Sequence, residues 1–231
     1  FDGWTFLGAF LDDAILELRQ TTENIANHVG ADRIVVALSS SENFRKTVLP
    51  TYKGNRIGLG KRKPTSLKAL RRWYEDNYFT VCVEGLEADD VLGILMSGEV
   101  EGFGGDNVCC SIDKDLLSIP GKVYSWSPNS RDAGVRTIDE ASANLAFYTQ
   151  VLTGDAVDGY KGCRGVGAVG AAKAFADVDP LDTDAMWDVV VSQYAKKKLD
   201  ETDALQQARV ARILRVGDFN QTTKEPIQWT P

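Results

Sequence analysis

Two acids and a run of glycines mark the part of this 231-residue chain with the clearest capacity for chemistry, the stretch TGDAVDGYKGCRGVGAVGAAK at positions 153–173. Asp155 and Asp158 are three apart, so a helical conformation would put both on one face and let them serve one metal ion. Gly162, Gly165, Gly167 and Gly170 follow. They leave backbone N–H groups uncovered, able to meet a phosphate, ahead of a helix whose N-terminus also favours anions. Acid for a metal and amide for a phosphate are the components of a site acting on nucleic acid. A solvated aspartate pair beside a flexible loop fits the same residues, and this stretch alone does not separate the two.

More carboxylates stand where strands should end. The run RIVVAL (33–38) is apolar, β-branched and bounded by polar residues, as a buried parallel strand is, and Ser39, Ser40 and Ser41 follow it. A second strand over 79–83 precedes Glu87, Asp89 and Asp90, which open a helix over 87–97. A third, over 107–112, runs into Asp113 and Asp115. Ligands of open α/β sheets sit outside the carboxyl ends of the strands, so these acids, with Asp155 and Asp158, form a set of seven that can meet at one edge. The set contains no histidine or cysteine, and all-oxygen donors favour Mg²⁺ or Mn²⁺ over zinc. Gathered acids repel one another, and bound divalent cations offset that cost most simply. Two such ions activate a water and stabilise the leaving oxygen of a phosphodiester. The residues alone therefore point to a metal-dependent nuclease. The alternative is a set of helix-capping acids and strand-end turns that never meet.

The elements that must position these groups follow from patterning. Phe6, Leu7, Phe10, Leu11, Ile15, Leu16, Leu18 and Ile25 recur at helical spacing over 4–29. Pro64 opens a helix over 66–78, a fourth strand covers 122–127, and helices cover 168–176, 186–199 and 204–216. Strand and helix alternate up to about 148, which predicts an α/β domain with a mainly parallel central sheet and a carboxylate-lined C-terminal edge. Residues 149–231 form a helical part packed on that core as one unit, with the tail 219–231 strapped to the surface by Ile227 and Trp229. No apolar run reaches the roughly 18–20 residues of a membrane span, so a soluble cytoplasmic protein is expected, with no membrane partner. Cys82, Cys109, Cys110 and Cys163 have no zinc or disulfide spacing and are expected to be reduced and mostly buried, with the single His28 in a surface or packing role. The net charge is −7, yet positions 43–74 hold ten basic residues and no acidic one. A run this one-sided repels itself unless an anion neutralises it, which predicts an anion-binding surface.

Four motifs, NFRKTVLPTYKGNR (43–56), EGLEADDVLG (84–93), SIDKDLLSIPG (111–121) and the 153–173 stretch, occur in this order. Together they resemble the 5′ nucleases: flap endonucleases, the 5′-3′ exonuclease domain of bacterial DNA polymerase I, and phage 5′-3′ exonucleases. ARILR (211–215) and the terminal QWTP are most similar to the short, podovirus-type phage exonucleases. The resemblance implies a 5′-3′ exonuclease with flap endonuclease activity on DNA bearing a free 5′ end or 5′ flap, which also removes RNA from RNA–DNA hybrids. It implies a monomer in the host cytoplasm, with replication proteins as its class of protein partner.

The same resemblance implies roles for single residues. Glu87, Asp89, Asp90, Asp113, Asp115, Asp155 and Asp158 match ligands of two Mg²⁺ (or Mn²⁺), with Asp89 and Asp113 in the catalytic group. Lys53 and Arg56 match bases at the scissile phosphate. Arg45, Lys46, Lys61, Arg62 and Lys63 fall in or beside a basic helical arch region spanning 45–72. Gly162, Gly165, Gly167 and Lys173 fall in a helix-turn-helix variant that grips duplex DNA, with K⁺ at its turn. Two features depart from the family pattern. An aspartate expected in a first strand would precede Phe1, and Ser40 stands where a second aspartate is expected, a far weaker Mg²⁺ ligand. Those departures imply, as an alternative, a catalytically weakened or inactive form that binds branched DNA.

Overall fold

The computed structural model describes residues 10–55, 64–98, 100–126 and 134–231. The amphipathic repeat near the start becomes helix α1, Leu11–Val29, with Asp12 and Asp13 in its first turn; the repeat's positions before Phe10 lie outside the described residues. Gly30 ends α1 in the left-handed region (φ 69°), and the Ala31 N–H reaches back to the Ala26 carbonyl at 2.9 Å, satisfying an otherwise orphaned acceptor. Strand β1, Val35–Ala37, then leads through the short helix α2, Arg45–Val48, to helix α3, Leu67–Asn77. Strand β2, Phe79–Val81, pairs with β1 in parallel.

Helix α4, Ala88–Met96, begins where its acids dictate: Glu87 and Asp90 form a capping box, each side chain accepting from the other's end of the first turn. Strand β3, Val108–Cys110, is followed by a 3-10 helix, Lys114–Ser118, and by β4, Gly121–Tyr124, which pairs with β3 in parallel. Strand β5, Val135–Ile138, adds to β4 in the antiparallel sense. Its residues are mostly exposed, so no apolar run betrays it in the sequence. Among the described residues the strands thus form a parallel pair, a mixed three-stranded sheet and a small hairpin of β6 (Phe219–Asn220) and β7 (Glu225–Pro226), and not one mainly parallel sheet.

The helical part consists of α5 (Glu140–Thr153), α6 (Ala168–Ala174), α7 (Thr183–Ala195) and α8 (Glu201–Ala211). Aspartates at 139, 182 and 200 cap three of these helices. Their packed faces bury Phe147, Val151, Leu152, Met186, Val190, Tyr194 and Ala208 in the largest core. Trp229 closes this core edge-on against Phe147 and Trp187, with ring centroids 5.2 and 5.3 Å away. Trp229 therefore straps the tail as expected. Ile227 does not: its side chain is exposed, and only its backbone N–H is held, by the Asp218 carbonyl. His28 stacks on Tyr124, a packing role. Among the described residues all four cysteines are free; Cys109 and Cys163 are buried and Cys82 is exposed.

The segment after α8 joins the cores. Ile213 enters the cluster of Cys109, Leu116, Ile119 and Val123, and Leu214 enters that of Leu86, Val91, Ile94 and Phe219. Gly93 makes room for it, since a Cβ there would stand 2.4 Å from the Leu214 carbonyl oxygen. No described helix is long and apolar enough to cross a membrane.

Candidate active site

A cleft of about 430 Å³ opens between the two halves of the chain. Glu87, Asp89, Asp113, Asp115, Asp155 and Asp158 line it, together with Lys53, Tyr52 and Ser39. Glu87 and Asp89 come from the start of α4, Asp113 and Asp115 from the end of β3, and Asp155 and Asp158 from the loop after α5. Asp113 and Asp155 are aimed by local backbone bonds. Asp113 Oδ1 accepts the Asp115 N–H at 2.9 Å, and Asp155 Oδ1 accepts the N–H groups of Val157 and Asp158 at 2.6 and 3.1 Å. Asp155 and Asp158 therefore sit in a tight turn closed by an Asp155–Tyr160 bridge, and not on one face of a helix as their spacing suggests. Gly154 and Gly159, both at positive φ, flank the pair, and aspartate side chains favour such turns.

The electrostatics of the cleft are those of six crowded acids beside Lys53, Lys114 and Arg45. Burial, then the charges of Asp113, Glu87 and Asp90, push the Asp89 carboxyl up to about 6. Burial, then Asp113 and Asp155, raise Asp115 in the same way. Glu87 goes the other way: burial would raise it, but the Lys53 hydrogen bond and the charge of Arg45 hold it below the usual carboxylate range. The Lys53 ammonium pairs with Glu87 and stands 3.5 Å from Asp158. The Tyr52 hydroxyl lies 2.9 Å from Glu87 and 3.0 Å from Asp158, with one proton to donate to either. Lys53 adopts a left-handed backbone (φ 55°), and its N–H donates to the Asp158 carbonyl at 2.7 Å. Asn55 Nδ2 donates to the Ala156 carbonyl at 2.7 Å, so the YKGN loop and the 155–158 turn are stitched together. Among the described residues no three acids converge closely enough to hold an ion as they stand. In charge and donor type the set suits a hard divalent cation, with Lys53 supplying the positive charge between Glu87 and Asp158.

Two expected site residues are held in other roles: Asp90 stands outside the cleft, and Arg45 lines it with its guanidinium turned to internal partners. Asp90 is completely buried and outside the cleft. Its two oxygens each lie 2.7 Å from the Arg45 guanidinium, and they also accept the backbone N–H groups of Glu87 and Leu214. A carboxylate so occupied has no lone pair facing the cleft. Arg45, expected to meet DNA, is 3% exposed and spends its remaining donors on the Val210 and Arg212 carbonyls, at 2.9 and 2.6 Å. Its charge is internal. The Ser40 hydroxyl accepts the Glu42 N–H at 3.2 Å, and its neighbour Ser39 lines the cleft, where it also accepts the Ala88 N–H. Lys46 is exposed, while Arg56, Lys61, Arg62 and Lys63 lie outside the described residues.

The glycine turn backs directly onto the acid turn. Gly154 (φ 66°) and Gly162 (φ 61°) touch backbone to backbone, so that a Cβ on Gly154 would lie 2.4 Å from the Lys161 carbonyl carbon. The Cys163 N–H donates to the Leu152 carbonyl at 2.8 Å, and the Gly162 N–H to Gln207 of α8 at 2.9 Å. Residues 153–163 therefore move as one piece with α5 and α8. Gly154→Ala should cost ~2–4 kcal/mol, from a disallowed dihedral and a backbone clash, in urea denaturation. Gly217→Ala, with open space around its Cβ position, should be nearly neutral in the same measurement. Gly165, Gly167 and Lys173 are exposed, with Gly167 at the N-cap of α6.

Ser39 reaches the cleft from the strand end where the sequence sets polar groups, while Tyr52, Gln150 and Tyr160, also in the cleft wall, are not singled out by the sequence. Tyr52 carried a signal, its place beside Lys53 in the YKGN run; the others are brought in only by tertiary packing.

This α/β chain, with six acids and Lys53 lining one cleft, is by its family match and its relatives a nuclease. It is a member of the 5′-3′ exonuclease family: residues 12–146 match the family's N-terminal, resolvase-like domain. The chain is 30% identical to the exodeoxyribonuclease of Enterobacteria phage T3, covering 88% of this chain and 74% of that one. It is also 30% identical to the exonuclease of Escherichia phage T7, covering 86% and 74%. Among solved structures, the T5 D15 protein co-crystallised with metal ions superimposes with a TM-score of 0.68 over 88% of this chain and 84% of that one, at 16% identity. A complex of the bacteriophage T5 D15 flap endonuclease with DNA and metal ions gives 0.66 over 86% and 80%, also at 16% identity. Those likenesses establish a shared fold, and the relatives establish a 5′ nuclease close to those of phages.

Proposed function

We propose that this chain hydrolyses phosphodiester bonds from the 5′ end of DNA, as a 5′-3′ exonuclease with flap endonuclease activity, and removes RNA from RNA–DNA hybrids. The observation that carries this reading is the cleft lined by six acids from three parts of the chain, where Lys53 pairs with Glu87 and stands 3.5 Å from Asp158. Glu87, Asp89, Asp113, Asp115, Asp155 and Asp158 are the residues that would hold two Mg²⁺ or Mn²⁺. When bound, such ions supply an activated water and stabilise the leaving oxygen. Lys53, paired with Glu87 and near Asp158, is suited to meet the scissile phosphate, and Arg56 and the bases of 61–63 to guide the 5′ strand. Residues 162–173 would hold the duplex, with K⁺ at the turn, so that core and helical part act as a monomeric unit on DNA. A 5′-labelled flap substrate should be cut in Mg²⁺ and left intact in EDTA. Failure to cut in both Mg²⁺ and Mn²⁺ would overturn the reading.

Ser39 supports a second reading. A hydroxyl in the cleft wall, beside the position where the family resemblance implies a carboxylate, fits a form that binds branched DNA and cuts it poorly. Ser39→Asp should then raise cleavage; an unchanged rate removes that reading.

A further inference from the structure

We propose that a second cavity, beside the acid cleft, binds the base of the 5′-terminal nucleotide, so that base and phosphate are held on the two sides of Asp113. The proposal rests on the reading that this chain acts on the 5′ end of DNA. The cavity measures about 190 Å³ and lies where β3, β4 and β5 meet the 3-10 helix. Strand register builds it. Cys109 pairs with Val123 and Val123 with Arg136, so these three stand abreast on one face of the sheet. Leu116 and Leu117 line the cavity from the 3-10 helix, and Ile112, 62% exposed, stands at its open side.

The lining suits a nucleotide in each of its parts. The floor is apolar and uncharged: Leu116 and Val123 are buried, and burial pushes the Cys109 thiol up to about 12, so it stays protonated. Bases are held between apolar side chains and on guanidinium planes, and Ile112 and Arg136 offer one of each. Ser111 and Ser125 add hydroxyls, which donate or accept and so suit the edge of any base. The Ser111 oxygen accepts the Asp113 N–H at 3.1 Å and keeps its own proton to give. Lys114 and Arg136 add two cations to a lining whose one acid among the described residues is Asp113, which favours a base that carries a phosphate over an uncharged apolar molecule.

Position selects the nucleotide. Asp113 and Lys114 line both the cavity and the cleft, so the two open side by side. Asp155 and Asp158 line the cleft alone, and the glycine turn that would hold the duplex backs onto them. A strand crossing the cleft from that turn brings its terminal nucleotide, the one a 5′ cut releases, to the cavity. The volume lies below the about 300–1,000 Å³ of sites for larger molecules, and one base fits where two do not.

The test is a saturation-transfer NMR titration of the full chain in Mg²⁺, with thymidine 5′-monophosphate and with deoxyribose 5-phosphate, which has the same phosphate and no base. The nucleotide should bind more tightly by on the order of tenfold, the worth of burying one apolar group of side-chain size. Ser125→Trp, which fills the cavity, and Ile112→Gln, a change at an exposed position that leaves the core intact, should each remove most of that difference. Equal binding of the two compounds by the unaltered chain, or binding of neither, would overturn the base site. A difference preserved in both variants would overturn its place in this cavity. Binding is read without turnover, so the flap assay decides the functional reading separately: a chain that prefers the nucleotide and cuts no flap keeps the base site and loses that reading.

Discussion

Asp113→Asn is expected to lower flap cleavage by on the order of 10³-fold while leaving the fold in place. The two halves of that expectation come from different oxygens' duties. Asp113 Oδ1 caps the 3-10 helix by accepting the Asp115 N–H at 2.9 Å, and an asparagine oxygen does the same work. What asparagine lacks is the charge. Asp113 stands across from Asp89, whose carboxyl is pushed up to about 6 by burial first and by Asp113 next, so the two share one patch of potential. A ligand charge contributes several kcal/mol to the electrostatic stabilisation that a hard cation provides at a reacting phosphate. At about 1.4 kcal/mol per decade, that becomes two to four orders of magnitude in rate. Single-turnover cleavage at saturating Mg²⁺ measures it, and circular dichroism checks the fold. A folded variant that cleaves like the unaltered chain would remove Asp113 from the site.

What made this site legible in the sequence is that its acids sit at chain positions with a physical meaning: the ends of strands and the starts of helices. Glu87, Asp89, Asp113 and Asp115 could be placed because β-branched runs end just before them, and ligands collect at such edges. Asp155 and Asp158 reach the cleft from a tight turn, and the sequence leaves that backbone open because a spacing of three fits a helix and a tight turn alike. The distinction between Asp89 and Asp90 could not be read at all. Adjacent residues on a helix point about 100° apart, and which one faces inward depends on what packs there. Here that is Arg45, 45 positions earlier, whose buried partners are the carbonyls of Val210 and Arg212. A basic run identifies a surface only on average, and the one arginine in it that turns inward is invisible without the fold. Strand β5 escaped for the opposite reason, since an exposed edge strand needs no apolar alternation.

Arg45→Met should destabilise the chain by ~3–5 kcal/mol, because it leaves the Asp90 carboxylate buried and unpaired. Burial works against the Arg45 charge, and the Asp90 carboxylate more than overcomes it, raising the pKa of the arginine. The arginine is therefore charged in the folded protein, and its loss leaves the fully buried Asp90 side chain without its partner. The same substitution strips the Val210 and Arg212 carbonyls of their donors. Lysine cannot repair it, since a single ammonium does not reproduce the two parallel 2.7 Å bonds and the carbonyl contacts of the planar fork. The double variant Arg45→Met, Asp90→Leu should regain most of the lost stability, because well-packed apolar residues often replace a buried ion pair at little cost. It should remain short of the unaltered chain by ~1 kcal/mol, the loss of Asp90 as partner in the Glu87 capping box. Urea denaturation of the three proteins gives the comparison. A single variant as stable as the unaltered chain would mean that the clamp joining α2, α4 and the segment after α8 does not hold them together. A double variant that regains stability without regaining cleavage would instead locate the clamp's importance in the aim of Glu87, which Arg45 approaches at 3.5 Å and Asp90 holds by its backbone N–H.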